Sequence, residues 1–129
     1  MFIVNNDCSI NITRGDIGAI EVSMLTEEGT EHIFKKGDVV RFNVHERKRP
    51  DHVVILKDIL VDEDTSVVVI SLGRDDTKIG ELISKPVNYW YEIELNPDTV
   101  PQTIIGYDEE SGPKIFRLFP EGDDKVWAQ

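Results

Sequence analysis

The chain has 129 residues, 40% hydrophobic and 30% charged, with 25 acidic against 14 basic side chains and a formal net charge of −11. That length supports one hydrophobic core, burying roughly 65–70% of the unfolded surface, and the composition argues against both wholesale disorder and a membrane protein. So acidic a surface repels a phosphate backbone, so no direct nucleic-acid partner is expected.

The first residues, Met1 to Asp7, carry neither a basic nor a sustained apolar stretch, and the single cysteine, Cys8, sits in no CxxC or Cys/His grouping. Both features predict folding in a reducing cytoplasm, and no stretch approaches the length of a membrane span. Period-two patterning then begins with Ile10 and Ile12 and continues with Ile20, Val22 and Met24. Glu27-Glu28-Gly29-Thr30 predicts a turn leading into a hairpin partner at Ile33-Phe34. After a second turn at Lys36-Gly37-Asp38, Val40, Phe42 and Val44 alternate with Arg41, Asn43 and His45 as a strand.

Arg47-Lys48-Arg49, followed by Pro50-Asp51, reads as a solvated hairpin end. Val53 to Leu56 and Ile59 to Val61 read as strand, interrupted by Lys57-Asp58 and closed by an acidic loop at Asp62-Glu63-Asp64. Val67 to Ile70, all β-branched, predicts a strand buried on both faces or bent at a sheet corner. One helix is expected, with N-cap choices at Asp75-Asp76-Thr77, apolar spacing at Ile79, Leu82 and Ile83, and a limit at Pro86.

Tyr89, Tyr91, Ile93 and Leu95 form the inward face of the clearest strand, with Trp90, Glu92 and Glu94 outward. Asn96-Pro97-Asp98 ends it, Thr103 to Tyr107 resumes, and an acidic turn from Asp108 to Pro113 precedes Ile115, Phe116, Leu118 and Phe119. The expected fold is all-β, an antiparallel β-sandwich, Ig-like or jelly-roll-like, with one short helix over residues 1–119. Residues 120–129 form a polar tail whose Val126 and Trp127 dock on a neighbour or pack back on the domain.

Chemistry-bearing patterns are absent. There is no Gly-x-Ser-x-Gly elbow, and His32, His45 and His52 are not at metal-ligand spacing. The acidic clusters lack the spacing of a calcium loop. No catalytic, cofactor or metal site is therefore expected. Arg14-Gly15-Asp16 matches an adhesion tripeptide and Asn11-Ile12-Thr13 a glycosylation sequon, but turn chemistry accounts for the first and nothing advertises a secretory route for the second. Exposed aromatics and apolar termini favour interface cores, which makes Phe2, Ile3, Val4, Trp90, Val126 and Trp127 the candidate partner contacts.

Four segments taken in order resemble a known family. Ile10-Asn11-Ile12-Thr13-Arg14-Gly15-Asp16, Lys36-Gly37-Asp38-Val39-Val40-Arg41-Phe42-Asn43-Val44, Asp76-Thr77-Lys78-Ile79 and Tyr89-Trp90-Tyr91-Glu92-Ile93-Glu94-Leu95, with Thr103-Ile104-Ile105 after them, are similar to the amino-terminal domains of phage baseplate upper proteins and related small phage structural proteins. The resemblance spans residues 9–107 and departs from the family pattern at Glu92, where an Asp is usual. It implies a virion protein of a phage infecting Gram-positive bacteria, made in the host cytoplasm. Without the long carboxyl-terminal fibre or receptor-binding part, it suits a capsid decoration or a tail or baseplate accessory subunit. Such a subunit contacts other phage structural proteins in many copies on a symmetric lattice and performs no catalysis. The alternative is a carbohydrate- or host-surface-binding module in which Tyr89, Trp90 and Tyr91 stack on sugar.

Overall fold

A computed structural model of the chain describes residues 1–49, 51–80, 83–110 and 112–121. Among these described residues nine strands and one helical turn follow in order: β1 (Phe2–Val4), β2 (Ile10–Thr13), β3 (Gly18–Val22), β4 (Val39–His45), β5 (Val53–Leu60), β6 (Val68–Leu72), α1 (Arg74–Thr77), β7 (Val87–Leu95), β8 (Gln102–Ile105) and β9 (Lys114–Phe119). Seven strands make one sheet in the order β1-β2-β9-β7-β4-β5, with β8 also paired to β7, and β3 and β6 make a second. The fold is all-β and sandwich-like, as the alternation predicts. The strand pairs are antiparallel except β2 with β9, which run parallel from Ile10 opposite Phe116 to Thr13 opposite Phe119.

Long β7 organises the large sheet. Its Trp90–Leu95 segment pairs with β4 along one edge. Along the other edge, Val87–Tyr91 pairs with β9 and Ile93–Leu95 with β8, so β8 and β9 sit end to end. The inward side chains of this sheet, among them Val40, Phe42, Val44, Tyr91, Ile93, Phe116 and Leu118, join Ile20 and Val22 of β3 and Val68, Ile70 and Leu72 of β6 in one buried cluster. The small sheet therefore covers only the inner face of the large one, and the outer face has no second layer among the described residues. No helix of the described residues is long and apolar enough to cross a membrane.

Four local expectations change. Lys57-Asp58 does not interrupt β5: Lys57 turns inward to Asp76 (3.0 Å) and Asp58 turns outward to Arg41, so both charges are paired and the strand runs through. Val67 and Val69 are exposed while Val68 and Ile70 are buried, so the apolar run has an ordinary half-buried pattern. The hairpin at Ile33-Phe34 is reduced to single bridges, Leu25 with Glu31 and Phe34 with Thr65, yet Phe34 is fully buried. The helix is one turn capped by Gly73, whose amide donates to the Asp76 carboxylate at 2.7 Å, and it ends at Thr77, before Ile79. Leu82 of the expected helical face lies outside the described residues.

Candidate interaction surface

Arg14, Gly15 and Asp16 are built into the fold. Gly15 has φ +85°, a left-handed conformation that glycine adopts without strain, and its amide donates to Thr77 Oγ1 at 3.0 Å. That hydroxyl in turn donates to the Asp16 carbonyl at 2.8 Å. Arg14 is 8% exposed and reaches across the turn, with Nη2 donating to the Gly80 carbonyl (2.7 Å), Nε to the Ile79 carbonyl (3.3 Å) and Nη1 to Glu121 Oε1 (2.7 Å). The Asp16 carboxylate pairs with the amino terminus of Met1. An adhesion tripeptide must display its arginine; here it is a clasp that includes Glu121.

A second clasp ties the Lys36-Gly37-Asp38 turn to the end of β7. Asn96 Oδ1 accepts from the Val39 amide (2.8 Å), Asn96 Nδ2 donates to Asp38 Oδ1 (3.2 Å), and the Asn96 amide donates to the Val39 carbonyl (2.7 Å). The four sequence segments that carry the family resemblance thus meet in pairs: the Thr-Arg-Gly-Asp turn with α1, and the Gly-Asp turn with the Tyr-Trp-Tyr strand.

The predicted contacts divide. Phe2 is half-buried and packs on the core against Gly18, where an added Cβ would come within 2.5 Å of its ring. Ile3 and Val4 are 47% and 48% exposed on β1, the edge strand of the large sheet. Trp90 is half-buried on the outer face, between His45 of β4 and Ile115 of β9, with the His45 ring edge-on at 6.4 Å. Ile3 lies on the same face, in a cross-strand row with Asn11, Arg117 and Asn88, the last two joined at 2.8 Å. One outer face therefore carries both Ile3 and Trp90. Val126 and Trp127 lie outside the described residues.

Further along this face, Arg41 binds Asp58 through two nitrogens (2.7 and 2.9 Å) and Asp98 through Nη2 (3.1 Å). The guanidinium hydrogen bonds lower the Asp58 pKa, against a smaller opposing effect of burial. At the hairpin end, His52 and then Arg49 lower that of Glu46. Carboxylates with depressed folded pKa values contribute stability above their unfolded pKa and lose it as pH falls through the folded one. The melting temperature is therefore expected to drop below about pH 4. Arg41→Gln should flatten part of that acid limb in thermal melts, and an unchanged limb would remove Arg41 from the account.

Other candidate chemistry does not assemble. No three His, Cys, Asp or Glu side chains converge as a metal site among the described residues. His52 Nδ1 pairs with Glu46 (2.8 Å), while the His32 ring meets Phe34 edge-on, so the histidines are dispersed. The aromatic platform also fails to form. Tyr91 is 4% exposed and donates its hydroxyl to the Cys8 carbonyl, burial raises the pKa of Tyr89 and Tyr91, and only Trp90 faces outward. Thr77, an N-cap choice in the sequence, instead ends α1, and its buried hydroxyl joins the helix to the Arg14 turn, a role that no local pattern announces. Comparisons with known protein families, curated proteins and solved structures find no match.

Proposed function

We propose that the chain is a non-enzymatic structural subunit of a phage particle, a capsid decoration or a tail or baseplate accessory protein that acts through protein–protein contacts. The observation that carries this reading is the pairing of the family-like segments as two buried or half-buried clasps, which gives each short motif a reason to recur in a fold rather than in an active site. The uncovered outer face supplies the working surface. Its half-buried Trp90 and exposed Ile3 suit a contact core, and clasped charges such as Arg41 with Asp58 suit a polar rim.

An acidic subunit stays soluble while it is made and gains avidity when many copies meet a symmetric lattice. The test is co-sedimentation of the purified chain with particles that lack it. Wild type should pellet with the particles, and Trp90→Ala should weaken binding by about 2 kcal/mol, the scale of an interface aromatic, while lowering stability by less than about 1 kcal/mol because the ring is only half-buried. Equal pelleting of both proteins would take Trp90 out of the contact, and no pelleting of either would reject the reading.

A further inference from the structure

We propose that the chain self-associates by pairing the open edge of β5 antiparallel with β5 of a second copy, around a two-fold axis at Leu56. This goes beyond the virion reading and is a property of the chain itself.

Among the described residues β5 hydrogen-bonds to β4 on one side and to nothing on the other, and it ends the large sheet. An open edge of eight residues is long for a monomer, because its unpaired amides and carbonyls are a template for another strand. The opposite edge of the sheet is β1, only three residues long. Proteins usually guard such edges with charge. Both charged residues of β5 are already engaged within the chain, Lys57 with Asp76 at 3.0 Å and Asp58 with Arg41 at 2.7 Å, so neither guards it. Toward the outer face the edge turns Leu56, 53% exposed, and Leu60, 61%, on either side of the paired Asp58, and in the neighbouring layer Val67, just before β6, and Val69 within it are 39% and 47% exposed. At the end of β5 a cleft lies between Ile59, Leu60 and Val61 on one side and Val67, Val68 and Val69 on the other, with Asp62 and Glu63 at its rim.

Charge identifies the occupant. The turn that enters β5 carries the chain's one basic run, Arg47-Lys48-Arg49, all exposed, and the segment that leaves it carries Asp62-Glu63-Asp64, also exposed. Arg47, Lys48, Asp62 and Glu63 have no ion pair among the described residues. A strand with a positive entrance and a negative exit is self-complementary only when antiparallel: the entrance of each copy then meets the exit of the other, twice. Directly opposed residues of an antiparallel pair share a face, so a two-fold register centres on a residue. Centring on Lys57 would oppose two ammonium groups. Centring on Leu56 overlaps the strands over nearly their whole length, opposes Leu56 to its copy and brings the Arg47-Lys48-Arg49 run of each copy alongside the Asp62-Glu63-Asp64 segment of the other, although Arg49 also pairs with Glu46 within its own chain.

Sedimentation of the full chain at concentrations up to the millimolar range tests this. Wild type should dimerise reversibly. Leu56→Lys, counted twice across the axis, should weaken the dimer roughly tenfold or more. Arg47→Glu with Lys48→Glu should weaken it, as should Asp62→Lys with Glu63→Lys, and combining all four reversals should restore it to within about threefold of wild type. The charge-swap rescue decides the matter even where Leu56→Lys impairs folding. A chain monomeric at every concentration, a dimer indifferent to these changes, or a fourfold variant no better than either pair would overturn the proposal.

Discussion

Arg14→Ala is expected to remove about 2–4 kcal/mol of unfolding free energy, near the loss seen when one partner of a buried ion pair is deleted, with a discount for the partly exposed Glu121. The substitution strands three acceptors at once, the carbonyls of Ile79 and Gly80 and the carboxylate of Glu121. Arg14→Lys should recover less than half of the loss, because an ammonium on a flexible stem cannot hold the same three acceptors that the planar guanidinium spans. The Glu121→Gln variant and the double variant complete a cycle whose coupling term should lie between about 0.5 and 3 kcal/mol. Urea titrations measure all four. A loss under about 0.5 kcal/mol, the usual range of an ordinary surface substitution, would mean that the tripeptide is a surface feature after all.

Phe42→Ala should cost more, about 3–5 kcal/mol, the range for emptying a packed phenyl site in a core. Phe42 is fully buried at the middle of β4, its ring 5.6 Å from that of Tyr91 and 6.3 Å from that of Phe116. These three side chains come from three adjacent strands, so the cavity opens where β4, β7 and β9 share one layer. Domains of this kind carry about 5–15 kcal/mol in total, so the urea midpoint should fall by at least a fifth with an unchanged slope. A loss below about 1.5 kcal/mol would show that the sheet repacks around the gap.

Strands with strict alternation were legible in the sequence because period two directly records which side faces the core. Val40, Phe42 and Val44, and Tyr91, Ile93 and Leu95, are buried as their spacing predicts. Charge inside a strand was not legible in the same way. Lys57-Asp58 looks like a break until Asp76 and Arg41, 19 and 17 residues away, are known to neutralise it. Phe34 was legible as an apolar strand partner but not in its setting: it fills the core from a loop, held by one bridge to Thr65, with no periodic neighbours around it. The helix was overextended because Ile79 and Ile83 suggest an apolar face, whereas Ile79 is buried beyond the helix end, with its carbonyl held by Arg14.

The surface was the least legible part. Exposed aliphatics on β5 and the topology that leaves its edge open depend on which strand lies last in the sheet, and no local pattern encodes that. Trp90 was legible as an outward residue, while its confinement between His45 and Ile115 follows from cross-strand register.

Quantitative mass spectrometry of phage particles purified from the lysate in which the chain is made tests the central claim most directly. The account predicts the chain in the particle fraction in many copies, in a fixed ratio to the major structural proteins. Its presence in the soluble fraction of that lysate together with its absence from the particles would contradict it.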